Sequence, residues 1–250
     1  MSSNGGNDRP VALVTGAARR IGASIARTLH AAGYDLALHR HRSRDELDAL
    51  VETFERARPR STLALEADLA DVDALAPMVA ATHERFGRLD ALVNNAATFA
   101  PTPLGVATRQ AWDALFSVNA QAPFFLAQAA APHLAARSGA IVNLLDVYAE
   151  TPLPDHAIYC MSKAALAMMT RALAQDLAPR VRVNGIAPGA ILWPDGGKSE
   201  EEQRRLIERT PLRRTGTPED IGSAVLWLLQ GAPFVTGEII RVDGGRHLSG

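Results

Sequence analysis

The stretch Val11-Ala-Leu-Val-Thr-Gly-Ala-Ala-Arg-Arg-Ile-Gly22 decides the fold. Residues 11–15 form a short, nearly unbroken apolar run, the pattern of a strand buried on both faces. Gly16 permits a sharp turn. Apolar residues then recur at helical spacing over 21–32, and Gly33 follows as a C-cap. A strand, tight turn and helix start in that order aims backbone N–H groups and the positive end of a helix dipole at an anion. Gly22 lets the helix pack close to the sheet. Two glycines alone signal only a turn; their place directly after the first buried strand makes them a phosphate-site signal.

The same alternation runs outward along the chain. Strands are expected at 11–15, 35–39, 62–66, 91–94, 140–144, 181–186 and 238–242. Helices are expected at 21–32, 44–57, 72–86, 109–136, 158–177, 200–209 and 218–229, the long fourth one starting after a cap at Thr108. Strands alternating with helices imply βαβ units. The expected fold is α/β: a single doubly wound Rossmann-type parallel sheet of about seven strands, with helices on both faces. Residues 10–250 read as one domain, and the polar, Gly/Asn/Ser-rich residues 1–9 as a flexible tail.

Composition excludes several function classes. A net charge of −1 gives no electrostatic case for nucleic acid or an anionic membrane. No apolar run reaches the ~18 residues needed to span a bilayer, and the first residues lack a secretory stretch. Cys160 is the one cysteine, so no internal disulfide forms, and a reducing, cytoplasmic location is expected. No Cys or carboxylate close to His39 and His41 completes a metal-ligand set, so no metal is expected.

Two segments carry chemistry. NAD-binding folds place an acidic residue at the end of the second strand, against the ribose 2′-hydroxyl. This chain has Leu38-His-Arg-His-Arg-Ser43 there. Guanidinium and hydroxyl groups bind a 2′-phosphate that a carboxylate would repel, so the expected cofactor is NADPH. Tyr159 and Lys163, four residues apart, share one helix face. An ammonium beside a phenol lowers its pKa from ~10 and makes it a usable proton donor.

From about Pro10 to Leu248 these segments together resemble the short-chain dehydrogenase/reductase family, and within it the pteridine reductases. Thr15-Gly16 followed by Gly22 is similar to the family's Thr-Gly-x-x-x-Gly-x-Gly, with Arg20 in place of one glycine, a departure that pteridine reductases share. The resemblance implies that Gly16, Arg20 and Ile21 meet the cofactor phosphates, that Arg20 also reaches the pterin, and that His41, Arg42 and Ser43 hold the 2′-phosphate. It implies that Asp68 contacts adenine and that Asn95 and Ala96, in Asn94-Asn-Ala-Ala97, line the channel. It gives Asn119 a water near Lys163, sets Pro188 and Gly189 against the nicotinamide, and has Lys163 hydrogen-bond its ribose.

Asp146, in Ile141-Val-Asn-Leu-Leu-Asp146, stands where most of the family carries serine, and pteridine reductases have aspartate there. An ionised carboxylate cannot donate to a ketone oxygen, but it can orient the N–H groups of a pterin and hold Tyr159. By the same resemblance Phe99 stacks on the pterin, while Ala97 puts one polar contact in doubt. Trp193 either closes the pocket or packs, and 200–209 is either a lid or an ordinary solvated helix. The ending, residues 235–245, resembles the last strand through which the family builds a homotetramer. The implied activity is hydride transfer from NADPH to a C=N bond of a dihydropteridine or related pterin or folate. Tyr159 is then the proton donor, with Asp146 and Lys163 assisting. A ketone reductase and a non-catalytic NADPH-binding sensor remain the alternatives.

Overall fold

The computed structural model describes residues 8–193 and 199–248. Residues 1–7 of the expected tail lie outside them; Arg9, at its end, pairs with Asp35 at 3.8 Å. The strands are β1 (Val11–Val14), β2 (Asp35–Arg40), β3 (Thr62–Glu66), β4 (Ala91–Asn94), β5 (Ala140–Leu144), β6 (Arg182–Pro188) and β7 (Ile239–Val242). Helices α1 (Arg20–Ala31), α2 (Arg44–Ala57), α3 (Leu75–Phe86), α4 (Arg109–Phe116), α5 (Ala122–Ala135), α6 (Ala157–Leu177), α7 (Glu200–Glu208) and α8 (Pro218–Leu226) connect them.

All seven strands are parallel, in the order β3-β2-β1-β4-β5-β6-β7. Every residue of β1 is fully buried. Because side chains alternate across a strand, Ala12 and Val14 join α1, α2 and α8 in one apolar layer. Val11 and Leu13 join α3 and α5 in the other. Each large apolar side chain buried this way contributes about 1.5–3 kcal/mol, which accounts for the unbroken apolar strands.

One expected element is divided. The helix foreseen over 109–136 is interrupted by a π-type turn, Ser117–Gln121, in which the Ala122 amide donates to the Ser117 carbonyl. Pro123 is the cause: it has no N–H for the Asn119 carbonyl, and its ring crowds that carbonyl, so the turn ahead of it widens. A second such turn, Trp227–Gly231, ends the helix foreseen over 218–229. Ends shift slightly elsewhere: Val72–Ala74 is a 3-10 turn before α3, and β6 runs on to Pro188. Among the described residues, no helix is long and apolar enough to cross a membrane.

The turn after β1 leaves no space at Gly22. A Cβ there would lie 2.0 Å from the Gly16 carbonyl oxygen. Gly22→Ala is therefore expected to destabilise the fold by about 1–3 kcal/mol. Urea unfolding would show a lowered midpoint at an unchanged m-value; an unchanged midpoint would mean that α1 does not need this close approach.

Candidate active site

The sheet order reverses between β1 and β4, and the ends of these strands open a crevice, the usual ligand position in such folds. A cleft of about 640 Å³ lies there, lined by Gly16, Arg20, Arg42, Ser43, Asp68 and Asn95 among others. Ile21, His41 and Ala96 also line it. Gly16 has φ +62, and a Cβ on it would meet the Ala96 Cα at 3.0 Å, so only glycine fits. Asn95 Nδ2 donates to the carbonyls of Thr15 and Gly16 at 2.9 and 3.0 Å. Thr15 Oγ1 accepts the amides of Asn95 and Ala96 at 3.0 and 3.1 Å. Asn95 thus acts on the turn itself and fixes its shape.

Arg20 replaces a glycine without changing the backbone that glycine suits: its φ is +53. A left-handed non-glycine residue costs about 1–2 kcal/mol, so the guanidinium is retained against strain. Arg20 Nη2 donates to the Trp193 carbonyl at 2.9 Å, joining the start of α1 to the segment after β6. Trp193 meets Arg20 through its backbone, and its residue is half-buried.

The basic run at the end of β2 divides by partner. Arg40 and Arg44 both donate to the Glu66 carboxylate, Arg44 at 3.0 Å. His41 Nε2 lies 4.0 Å from Asp68 Oδ2. Among the described residues the Arg42 guanidinium has no hydrogen-bond or ion-pair partner, and it is exposed at the cleft. The first turn of α1 holds no acidic residue. A glycine cradle closed to any Cβ, an uncompensated guanidinium and a helix start without acid fit a phosphorylated nucleotide.

At the neighbouring strand end, Asp146 follows β5 and Tyr159 and Lys163 come from α6. Tyr159 Oη donates to Asp146 Oδ2 at 2.7 Å, and the Tyr148 amide donates to Asp146 Oδ1 at 3.0 Å. Lys163 Nζ donates to the Leu144 carbonyl at 2.8 Å and lies 6.0 Å from the Tyr159 ring centre. Tyr159 and Lys163 are buried and Asp146 is half-buried, with consequences for charge. Burial raises the Asp146 carboxyl above the usual carboxylate range, outweighing the hydrogen bonds from Tyr148 and Tyr159 and the charges of Lys163 and Arg246. Burial pushes Lys163 down to about 8, against the Asp146 charge. Tyr159 is raised far above its ordinary value, first by burial and then by Asp146. The sequence suggested that Lys163 would lower Tyr159. In the folded chain desolvation and the adjacent carboxylate outweigh it, and Tyr159 keeps its proton.

Phe99 lies beside this group, 51% exposed. Its ring stacks on His156 at 4.6 Å and meets the Tyr159 ring edge-on at 4.7 Å. The Phe99 backbone is steadied by a neighbour: buried Asn119, in the π-type turn, accepts the Thr98 amide and donates to the Thr98 carbonyl, each at 2.9 Å. Asn119 Nδ2 also reaches Ser162 Oγ at 3.0 Å, so its amide serves as a clamp between the Phe99 loop and α6. Pro188 ends β6, and the Gly189 amide bonds Val242, which brings that segment against Asp243. Helix α7 buries none of its residues, the pattern of a solvated helix.

Sequence reasoning missed two residues. His156 precedes α6 and sits three positions before Tyr159, a spacing that could have marked it as a neighbour. Arg246 gave no local signal: the turn after β7, tied by Asp243 to the amides of Gly245 and His247, brings its charge to Asp146 and Tyr148.

The family profile described as enoyl-(acyl carrier protein) reductase matches residues 16–247. The chain belongs to the short-chain dehydrogenase/reductase family. The chain is 37% identical over 283 residues to "Pteridine reductase 1" of Leishmania tarentolae, covering 96% of this chain and 97% of that one. It is 36% identical over 241 residues to the 3-oxoacyl-(acyl-carrier-protein) reductase FabG of Staphylococcus aureus, covering 95% and 98%. Membership makes the chain an oxidoreductase, of a family whose members use NAD(P)H.

The raised Asp146 pKa has a stability consequence. A carboxyl raised in the fold above its unfolded value makes the folded chain bind the extra proton, so its contribution is present at low pH and lost as pH rises through the folded value. Asp146→Asn removes that loss. The variant is expected to melt higher than the parent above the raised folded value, with the advantage shrinking as pH falls toward the ordinary carboxyl value of 3.8. A pH-independent difference in Tm would count against a strained carboxylate.

Proposed function

We propose that this short-chain reductase is an NADPH-dependent pteridine reductase. The observation that carries the reading is the Asp146 carboxyl bonded to the Tyr159 hydroxyl beside the half-exposed ring of Phe99. NADPH, when bound, supplies the hydride. Arg42, with His41 and Ser43, would hold its 2′-phosphate, and Gly16, Arg20 and Ile21 its other phosphates. Asp68, Asn95 and Ala96 would line the adenosine side. Lys163, Pro188 and Gly189 would meet the nicotinamide riboside.

Phe99 offers a flat aromatic face to a flat heteroaromatic substrate, an arrangement that gains from offset stacking. With His156 behind it and Tyr159 at its edge, the ring is held in one plane. Asp146 already accepts one hydrogen bond on each oxygen and has lone pairs left for N–H groups, which a pterin carries and a ketone does not. Tyr159, kept protonated by its surroundings, gives its proton to the ring nitrogen next to the carbon being reduced. Asp146, accepting from the hydroxyl at 2.7 Å, holds Tyr159 in position, and solvent reprotonates the phenol oxygen after the transfer. Arg20 and the segment at Trp193 would border the substrate on the cofactor side.

The similarity to a 3-oxoacyl reductase keeps a ketone reductase as the second reading. Against it, an ionised Asp146 would repel the oxyanion that a ketone develops. NADPH oxidation measured with dihydrobiopterin, dihydrofolate and simple ketones separates the two. Turnover with the pteridines is expected, reduced about 10²- to 10⁴-fold by Tyr159→Phe, and turnover with ketones alone would sink the proposal. Arg42→Ala is expected to weaken NADPH much more than NADH in a fluorescence titration; equal losses would show that Arg42 does not read the 2′-phosphate.

A further inference from the structure

His39 stands at the end of β2, almost fully buried, and nothing in the chemistry above uses it. Its imidazole spans two other strand ends. Nδ1 lies 3.2 Å from the Gly16 amide and accepts its hydrogen. Nε2 lies 3.1 Å from the Ala67 carbonyl, just before Asp68. A carbonyl only accepts and an amide only donates, so the ring is neutral with its one hydrogen on Nε2. The His39 carbonyl also accepts the Ala17 amide at 2.8 Å. This one residue therefore ties the glycine turn after β1, the end of β2 and the end of β3 together, and its ring lines the cleft.

We propose that His39 is the positioning residue of the dinucleotide cleft: its neutral Nε2–H form fixes the glycine turn against the ends of β2 and β3, and its protonation releases that turn. A second hydrogen, on Nδ1, would face the Gly16 N–H, setting donor against donor. The turn would lose its tie to β2, and cofactor affinity would fall. The surroundings resist that proton. Burial lowers the His39 pKa and the charges of Arg40 and His41 add to this, while the Ala67 carbonyl and Asp68 act the other way. The turn side contributes Gly16 and Ala17, which carry no charge. Neutral His39 is thus favoured in the fold. Its contribution is full above the unperturbed value of 6.5 and is lost as pH falls from there toward the lowered folded value. The turn also spends the Gly16 amide on His39, so Gly16 would border the phosphates without that donor while the helix start at Arg20 and Ile21 meets the anion.

The inference rests on reading the cleft as a nucleotide site, and its test has one arm that does not. In ¹⁵N-histidine-labelled protein, with His39 assigned by its loss in His39→Asn, NMR should show a bare Nδ1 and a protonated Nε2. These signals should titrate below 6.5 together with the Gly16 amide. A protonated Nδ1, or an ordinary titration that leaves Gly16 unmoved, overturns the proposal. The second arm is fluorescence titration with NADPH and NADH. His39→Leu, which keeps the bulk and loses both hydrogen bonds, should weaken both nucleotides about tenfold. His39→Asn, which keeps an acceptor near Nδ1, should restore most of that affinity. The reverse ranking would make His39 a packing residue and overturn the proposal. Should the parent protein bind neither nucleotide while His39 shows the expected tautomer and coupled titration, the nucleotide reading falls and the tie between turn and strand ends stands.

Discussion

Both faces of the central strand β1 must be covered. All four of its residues are apolar and fully buried, and they point alternately to opposite sides. A sheet built around such a strand needs helices on each face, reached by crossovers of one hand. Two series of strands then grow outward from β1, one through β2 and one through β4, and their connections leave in opposite directions. The crevice between β1 and β4 follows from that divergence. It needs no pocket-forming sequence of its own, because it is the place where no crossover covers the strand ends.

What fills the rim of the crevice is a set of polar side chains bonded to backbone. Thr15, Asn95, Asn119 and His39 each serve main-chain amides or carbonyls that irregular strand ends leave without partners. A buried polar group is costly unless satisfied. Here the cost is met by hydrogen bonds that also fix the loops carrying Gly16, Phe99 and Asp68. The rigidity of the cleft and the satisfaction of its buried amides are the same set of bonds.

The proton-handling group obeys a different balance. The buried Tyr159 and Lys163 and the half-buried Asp146 have one carbonyl and one amide as nearby dipoles. Burial then governs each of them: it raises Asp146 and Tyr159 and lowers Lys163. The positive charge of Arg246, brought by the turn after β7, partly offsets the cost of an ionised Asp146. An aspartate where a hydroxyl would sit more easily is therefore held under strain, the kind of departure expected where chemistry rather than stability sets the residue.

The order of strands and helices was legible in the sequence, because a doubly buried strand writes its burial as an unbroken apolar run and a helix writes its face at a 3.6-residue period. The glycine turn, the unacidic end of β2 and the Tyr159/Lys163 spacing were legible for the same reason: each depends on neighbours within one turn of chain. The split of the helix over 109–136 was written only faintly, in Pro123. Other features had no local signature. The tie of His39 to Gly16 and Ala67, the stacking of His156 on Phe99, and the approach of Arg246 to Asp146 join residues 23 to 100 positions apart, and only strand order brings them together. The direction of the Tyr159 pKa was likewise decided in three dimensions. Sequence spacing shows that a lysine is near, but desolvation and the position of Asp146 exist only once the chain has closed around them.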